Sequence, residues 1–233
     1  MVSVELPPLA LYLHFPWCVR KCPYRDFNSF ALGKELPEDE YVRALQADLA
    51  TQATAAQGRH IASVFMGGGT PSLFSPDAIG RVLESARAIV PFANDAEITL
   101  EANPGTIERG RFAGYRAAGV TRVSLGAQSF DAPALQRLGR IHTPQETQRA
   151  AEELHAAGLV NFNLDLMYAL PGQSAEGALA DAREAIGFGP EHLSAYHLTI
   201  EPNTLFHHHP PVVPDEDAAA DMEEAIHPAL AAA

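Results

Sequence analysis

Tyr12-Leu13-His14-Phe15-Pro16-Trp17-Cys18-Val19-Arg20-Lys21-Cys22-Pro23-Tyr24-Arg25-Asp26-Phe27-Asn28 holds both cysteines of the chain. It continues an apolar run, Leu9 to Phe15, that reads as a β-strand. Two cysteines four apart in a loop after a strand are a metal site, a disulfide or bystanders. In a chain that reads as intracellular, metal or redox chemistry is the commoner use of such a pair.

Working outward, the spacing predicts a helix from Pro37 to about Ala56, with Tyr41, Leu45 and Leu49 on one face and Gly58 as a stop. A short apolar strand, Ile61 to Met66, runs into Gly67-Gly68-Gly69-Thr70-Pro71-Ser72. Ser75-Pro76, a cap followed by first-turn proline, opens a helix to about Val90. Glu97 to Glu101 alternates as a strand, Thr106 to Ala118 is helical and closes on Gly119, and Val120 to Leu125 is the next strand. Thr143-Pro144-Gln145-Glu146 is a capping box that starts a helix to about Ala157. Strand Val160 to Leu166, helix Ser174 to Ile186, strand His192 to Leu198 and an alanine-rich helix from Glu216 complete the pattern. His207-His208-His209-Pro210-Pro211 reads as a surface loop rather than a metal tract.

Six strands alternating with helices give an α/β protein with a parallel sheet, either a barrel or a doubly wound open sheet. The 233 residues, 47% of them hydrophobic, suffice for a sizeable core. A net charge of -13 argues against a general nucleic-acid binder or an anionic membrane surface as partner. Neither a membrane span nor a signal peptide is legible, so the cytoplasm is the expected compartment.

In parallel β/α barrels ligands collect at the C-terminal strand ends. Residues with chemical potential sit at those ends here: Cys18 and Cys22 after the first strand, Gly67 to Thr70 after the second, Glu101 closing the third, Gln128 after the fourth and Asp165 near the end of the fifth. Glycines at 67–69 let backbone approach a ligand closely. Glu101 is either a solvated strand end or a ligand-binding carboxylate, and Asp165, inside an apolar strand, needs a partner. Tyr12 is either a core tyrosine or part of the site.

The loop around Cys18 and Cys22 resembles the cluster-binding loop of the radical S-adenosylmethionine enzymes, whose pattern is C-x3-C-x2-C. More closely it is similar to the branch containing the oxygen-independent coproporphyrinogen III oxidases and the heme chaperones called HemW. The third cysteine of the pattern falls on Arg25. Thiolates hold iron as soft anionic ligands, whereas a guanidinium stays protonated and has no free lone pair. The resemblance covers nearly all of residues 7 to 228 and implies a partial (β/α)6 barrel, with residues 1–215 as the core domain and 216–233 as the start of a C-terminal region cut short.

It further implies a 4Fe-4S cluster on Cys18 and Cys22, impaired by Arg25, and S-adenosylmethionine held by Gly68, Gly69 and Thr70, Glu101, Gln128, Arg140 and Asp165, with Tyr12 and Ala195 lining the same site. In that pattern backbone at the glycine turn meets the ligand's amino group, Arg140 clamps its carboxylate and Asp165 meets the ribose hydroxyls. The oxidases carry a further cysteine where Phe27 stands, so the wording of the loop is nearer to HemW. The resemblance therefore implies heme as a further ligand, with His14, His142 or His197 as conceivable axial donors, and heme-accepting proteins as partners. Two rivals follow: the oxidase itself, in porphyrin biosynthesis, and a non-catalytic protein that keeps the pocket without the radical.

Overall fold

The computed structural model describes residues 6–105 and 109–233. Strand β1 (Leu9–Phe15) leads into two short strands, β2 (Trp17–Cys18) and β3 (Phe30–Ala31), which pair with each other and brace the cysteine loop. Helix α1 (Glu38–Gln52), β4 (Ile61–Gly68), α2 (Pro76–Ile89) and β5 (Phe92–Ala102) follow. Next come α3 (Phe112–Ala117), β6 (Arg122–Gln128), α4 (Ala132–Arg137), α5 (Pro144–Ala156) and β7 (Phe162–Tyr168). Then α6 (Ala175–Gly187), β8 (His192–His197), α7 (Leu205–His208) and α8 (Glu216–Ala231) close the chain.

The main sheet has six strands in the order β1-β4-β5-β6-β7-β8, every neighbouring pair parallel. A doubly wound sheet would reverse direction at a switch point. Here the chain always steps the same way, and β1 and β8 remain at opposite edges, so the sheet is the partial (β/α)6 barrel and the doubly wound alternative is excluded.

Side chains alternate across each strand, and the two faces differ in kind. Leu13, Phe15, Val64, Met66, Ile98, Leu100, Val123, Leu125, Leu164 and Leu166 are buried on one face in a single cluster with helix residues such as Ile79, Leu83, Tyr115 and Leu154. The opposite face carries Tyr12, Glu101, Ser124, Asn163 and Asp165.

Several helix starts follow directly from local chemistry. Ser75 accepts a hydrogen bond from the Ala78 N–H at the head of α2, and both bonds of the Thr143–Glu146 capping box are present at α5. The expected helix Thr106–Ala118 is only Phe112–Ala117, and positions 106–108 lie outside the described residues. Two short helices were not legible. Asp131 caps α4 through the Ala134 N–H, and Thr204 caps α7 through the His207 N–H, but six and four residues are too few to display a period. The histidine tract is thus exposed as expected, yet His207 and His208 belong to a helical turn rather than a loop.

Helix α8 packs on α6 and β7, and its Ala219, Met222 and Ile226 are buried in the main cluster. Among the described residues no helix is long and apolar enough to cross a membrane.

Candidate functional site

The cysteine loop is seated on the glycine turn. Gly69 donates its N–H to the Phe15 carbonyl at 2.7 Å, and a Cβ at Gly69 would lie 2.5 Å from the Trp17 carbonyl oxygen. A Cβ at Gly68, whose φ is +114°, would lie 2.5 Å from the His14 ring. The glycines therefore meet other parts of their own chain, a demand the sequence reading had assigned to a ligand. His14 is itself held by the Asn28 carbonyl at 2.7 Å, and Tyr12 hydrogen-bonds the other His14 ring nitrogen.

A second small hydrophobic cluster fixes the far side of the loop: Cys22 and Tyr24 pack with Leu138, Met167, Leu198 and Phe206. Phe206, on α7, donates its N–H to the Pro23 carbonyl at 3.0 Å. Cys18 and Cys22 are both buried and both free thiols, so the disulfide reading is closed.

Beneath the loop lies a polar network built from the C-terminal strand ends. Glu101 accepts from the Gly68 N–H at 3.1 Å. Burial pushes its carboxyl up to about 7, against the opposing pull of that N–H and of the nearby Arg25. It is not the solvated strand end that a lone terminal acid usually is. Asp165 has the partners its setting demanded: Asn163 Nδ2 donates to it at 2.7 Å, and the Ser124 hydroxyl lies at 3.4 Å. Burial raises its pKa too.

Arg140 donates to Asn103 Oδ1 at 2.6 Å and to the Gly126 carbonyl at 2.8 Å, while its second terminal nitrogen lies 3.7 Å from Cys22 Sγ. Asn103 in turn donates to Thr70 Oγ1 at 3.0 Å. Gln128 is fully buried with a φ of +68°, and its side-chain oxygen accepts from the Tyr196 hydroxyl at 2.5 Å. His142, beside Arg140, donates from Nε2 to the Ala127 carbonyl at 3.0 Å, so Nε2 carries the proton. Burial and the Arg140 charge lower its pKa to about 3, so it is neutral.

Two cavities collect most of the expected residues. One of about 20 Å³ is walled by Gly69, Thr70, Glu101 and Asp165 together with Asn103, Ser124, Gly126 and Arg25. The other, about 130 Å³, is walled by Cys22, Thr70 and Arg140 with Asn103 and His142. Tyr12 stands apart from both on the edge strand β1, 55% exposed and stacked on Phe65, which removes the core-tyrosine reading. Ala195 is exposed on the other edge, in register with Leu166, and its neighbours Ser194 and Tyr196 carry the polar groups that reach Asn163 and Gln128. Asn103, Ser124 and Asn163 were missed by the sequence reading. Ser124 and Asn163 had one available signal, polar residues at alternate positions of otherwise apolar strands.

The sequence profile of the Radical SAM superfamily matches residues 12–185. The chain belongs to the radical SAM superfamily. It is 57% identical over 230 residues to the heme chaperone HemW of Escherichia coli strain K12, covering 99% of this chain and 61% of that one. To the heme chaperone HemW of Haemophilus influenzae it is 51% identical, covering 97% of this chain and 60% of that one. The radical SAM enzyme coproporphyrinogen III oxidase, HemN, of Escherichia coli superposes with a TM-score of 0.87 at 26% identity, over 97% of this chain and 52% of that one. The chain thus spans about three fifths of the length of the two relatives named HemW.

Radical SAM membership brings with it a 4Fe-4S cluster and S-adenosylmethionine, and the residues fit the two unequally. For S-adenosylmethionine the donor chemistry suits: Glu101 and Asp165 line one cavity with Gly69 and Thr70, and Arg140 lines the adjoining one. For a cluster held by three thiolates the residues do not fit. Cys18 and Cys22 supply two, Arg25 stands at the third position, and among the described residues no three His, Cys, Asp or Glu side chains are grouped to hold a metal.

Proposed function

We propose that this chain is the S-adenosylmethionine-binding core of a cytoplasmic heme chaperone of the HemW kind, one whose cluster site is impaired. The observation that carries the reading is the 57% identity to a heme chaperone HemW across almost the whole chain. Phe27, standing where the oxidases of this branch have a further cysteine, supports the same choice.

In this reading Glu101, Gln128, Arg140 and Asp165, with the backbone of Gly68, Gly69 and Thr70, bind S-adenosylmethionine, and Tyr12 and Ala195 border its site. A radical SAM cluster, when bound, supplies the electron that cleaves S-adenosylmethionine. This chain's own residues orient the ligand. Arg140 is fixed by Asn103 and Gly126 and is pre-set to receive a carboxylate. Asp165 is held by Asn163 in position to accept from hydroxyls. Heme is the proposed cargo and heme-accepting proteins the proposed partners.

The test is a hemin titration of the chain, read by the Soret band, beside an anaerobic assay with coproporphyrinogen III, S-adenosylmethionine and a reductant. Both are run on the chain and on Arg25→Cys after reconstitution with iron and sulfide. The expected outcome is saturable heme binding by both forms, far fewer than about four irons in the Arg25 form, and no protoporphyrin from either. Protoporphyrin above the no-protein control would move the chain to the oxidase reading, and four irons in the Arg25 form would remove the impairment.

A further inference from the structure

At the C-terminal ends of β6 and β7 the chain passes through two left-handed residues that are not glycine, Gln128 at φ +68° and Ala169 at φ +57°. A Cβ is strained in that region, so such a conformation persists only where its surroundings impose it. Both residues are fully buried. β6 also takes in one extra residue here: Leu125 pairs with Leu164 but Gln128 with Leu166, a bulge that re-aims the side chain of Gln128.

One side chain outside the candidate site holds both turns. Asp181, on the buried side of α6 and 6% exposed, accepts from the Phe130 N–H through Oδ1 and from the Ser129 hydroxyl through Oδ2, each at 2.7 Å. Those donors are the two residues directly after Gln128. Gln173 Nε2 donates to Asp181 Oδ2 at 3.2 Å, and Gln173 Oε1 accepts at 3.2 Å from the N–H of Leu170, the residue directly after Ala169. Among the described residues no Lys, Arg or His pairs with Asp181. Burying a carboxylate without a counter-charge is costly, and here three donors offset that cost. An apolar residue would pack α6 without it, so the carboxylate answers the turns rather than the helix.

The Gln128 side chain is what the turn delivers. Its Oε1 accepts from the Tyr196 hydroxyl at 2.5 Å, reaching past β7 to β8. Its Nε2 is buried without a hydrogen-bond partner among the described residues and lies 3.0 Å from where a Cβ at Gly126 would stand, a point 3.2 Å from Arg140 Nη2.

We propose that Asp181 is a positioning residue for the candidate site: by holding the turn after β6 in its left-handed form, it sets the Gln128 side chain against Tyr196 and Gly126. That Gln128 then serves a ligand rests on the reading of the site as one for S-adenosylmethionine. The positioning itself is measurable without any ligand.

The experiment is a double-mutant cycle on the full chain, read by urea denaturation, between Asp181→Ala and Tyr196→Phe, two positions that share no hydrogen bond. Tyr196→Phe is expected to raise the unfolding constant by about fivefold in the parent chain, the size of one hydrogen bond, and by less than about twofold in the Asp181→Ala background. Tyr41→Phe, which removes a hydroxyl donating to the His14 carbonyl at 2.6 Å on the other side of the sheet, is the control and is expected to have the same effect in both backgrounds. A merely structural role for Asp181 would lower stability without singling out Tyr196. Asp181→Asn, which keeps an acceptor for the Phe130 N–H, decides the matter in the same way if Asp181→Ala does not fold, with coupling in the same direction. Equal effects of Tyr196→Phe in every folded background, or an equal loss of the Tyr41 effect, would overturn the inference. Calorimetric titration of the same proteins with S-adenosylhomocysteine, the thioether analogue of the proposed ligand, reads the site separately. Severalfold weaker binding by the folded Asp181 variants is expected, and no binding by any form, with the coupling present, would remove the ligand reading while leaving the positioning role of Asp181.

Discussion

Leu100 and Glu101 are neighbours on β5, yet they live in different proteins as far as energetics are concerned. Leu100 is fully buried against the helices, in a cluster made wholly of apolar side chains. Glu101 points to the other face, where burial raises its pKa against the opposing pull of the Gly68 N–H and Arg25. The helix-covered face is a close-packed interior whose substitutions cost stability. The open face keeps buried polar groups that a minimal core would not contain, which is the usual mark of a binding site. The step from Leu100 to Glu101 exchanges one regime for the other, and it can be broken or sharpened by substitution.

The largest effect is expected from Leu100→Ala. Removing a fully buried leucine from the middle of the sheet leaves a cavity and should lower unfolding stability by about 3 kcal/mol. Urea denaturation measures it. A loss below about 1 kcal/mol, with an unchanged denaturant slope, would mean that the helix-covered face is not the close-packed layer described.

Glu101→Gln is expected to act through pH. The folded carboxyl has its pKa raised to about 7 by burial, above the unfolded value of 4.5. A carboxyl with a raised folded pKa binds its proton more tightly in the native state. Its contribution is therefore fully present below about pH 4.5 and is lost as pH rises through about 7. The native protein should lose on the order of 2 kcal/mol across that window relative to Glu101→Gln, whose amide does not titrate. His142, with its pKa lowered to about 3, runs the other way, losing stability as pH falls below its unfolded value. Only the difference between the two stability curves isolates Glu101. A flat difference from pH 4 to 8 would show that Glu101 is solvated after all.

The smallest effect is expected from Tyr196→Phe. It removes the hydroxyl that donates to the buried Gln128 side chain from a strand that is otherwise open to solvent. A loss of about 1 kcal/mol is the expected size for one hydrogen bond to a buried acceptor. Because Gln128 lies in the proposed ligand site, weaker binding of S-adenosylhomocysteine should accompany it. Unchanged binding at that stability would detach Gln128 from the site.

The reach of sequence reading divides along the same two faces. All six sheet strands were legible, because an apolar run bounded by glycine, proline or a capping residue is a local signal. The capping box at Thr143 and the Ser75-Pro76 start are local in the same sense, and both helices form where those residues stand. Helix α4 escaped because its only cue is Asp131 with a proline in the first turn. Ser124 and Asn163 escaped for a different reason. Each is an ordinary polar residue on its own strand, and it acquires a role only when the β6–β7 pairing sets Ser124 opposite Asn163, within reach of Asp165.

The sequence by itself determined the alternation of strands and helices and the missing third thiolate at Arg25, because each depends only on which residues stand at nearby positions. It also carried, through the wording of the loop, the likeness to radical SAM proteins. Tertiary structure alone decided the sheet order, the seating of the cysteine loop on Gly69, and the gathering of Arg25, Glu101 and Asp165 at the walls of one cavity. Residues 25, 101 and 165 are far apart along the chain, and no local periodicity encodes their meeting. It follows from closing loops around a parallel sheet, whose one-directional order brings every C-terminal strand end to the same side.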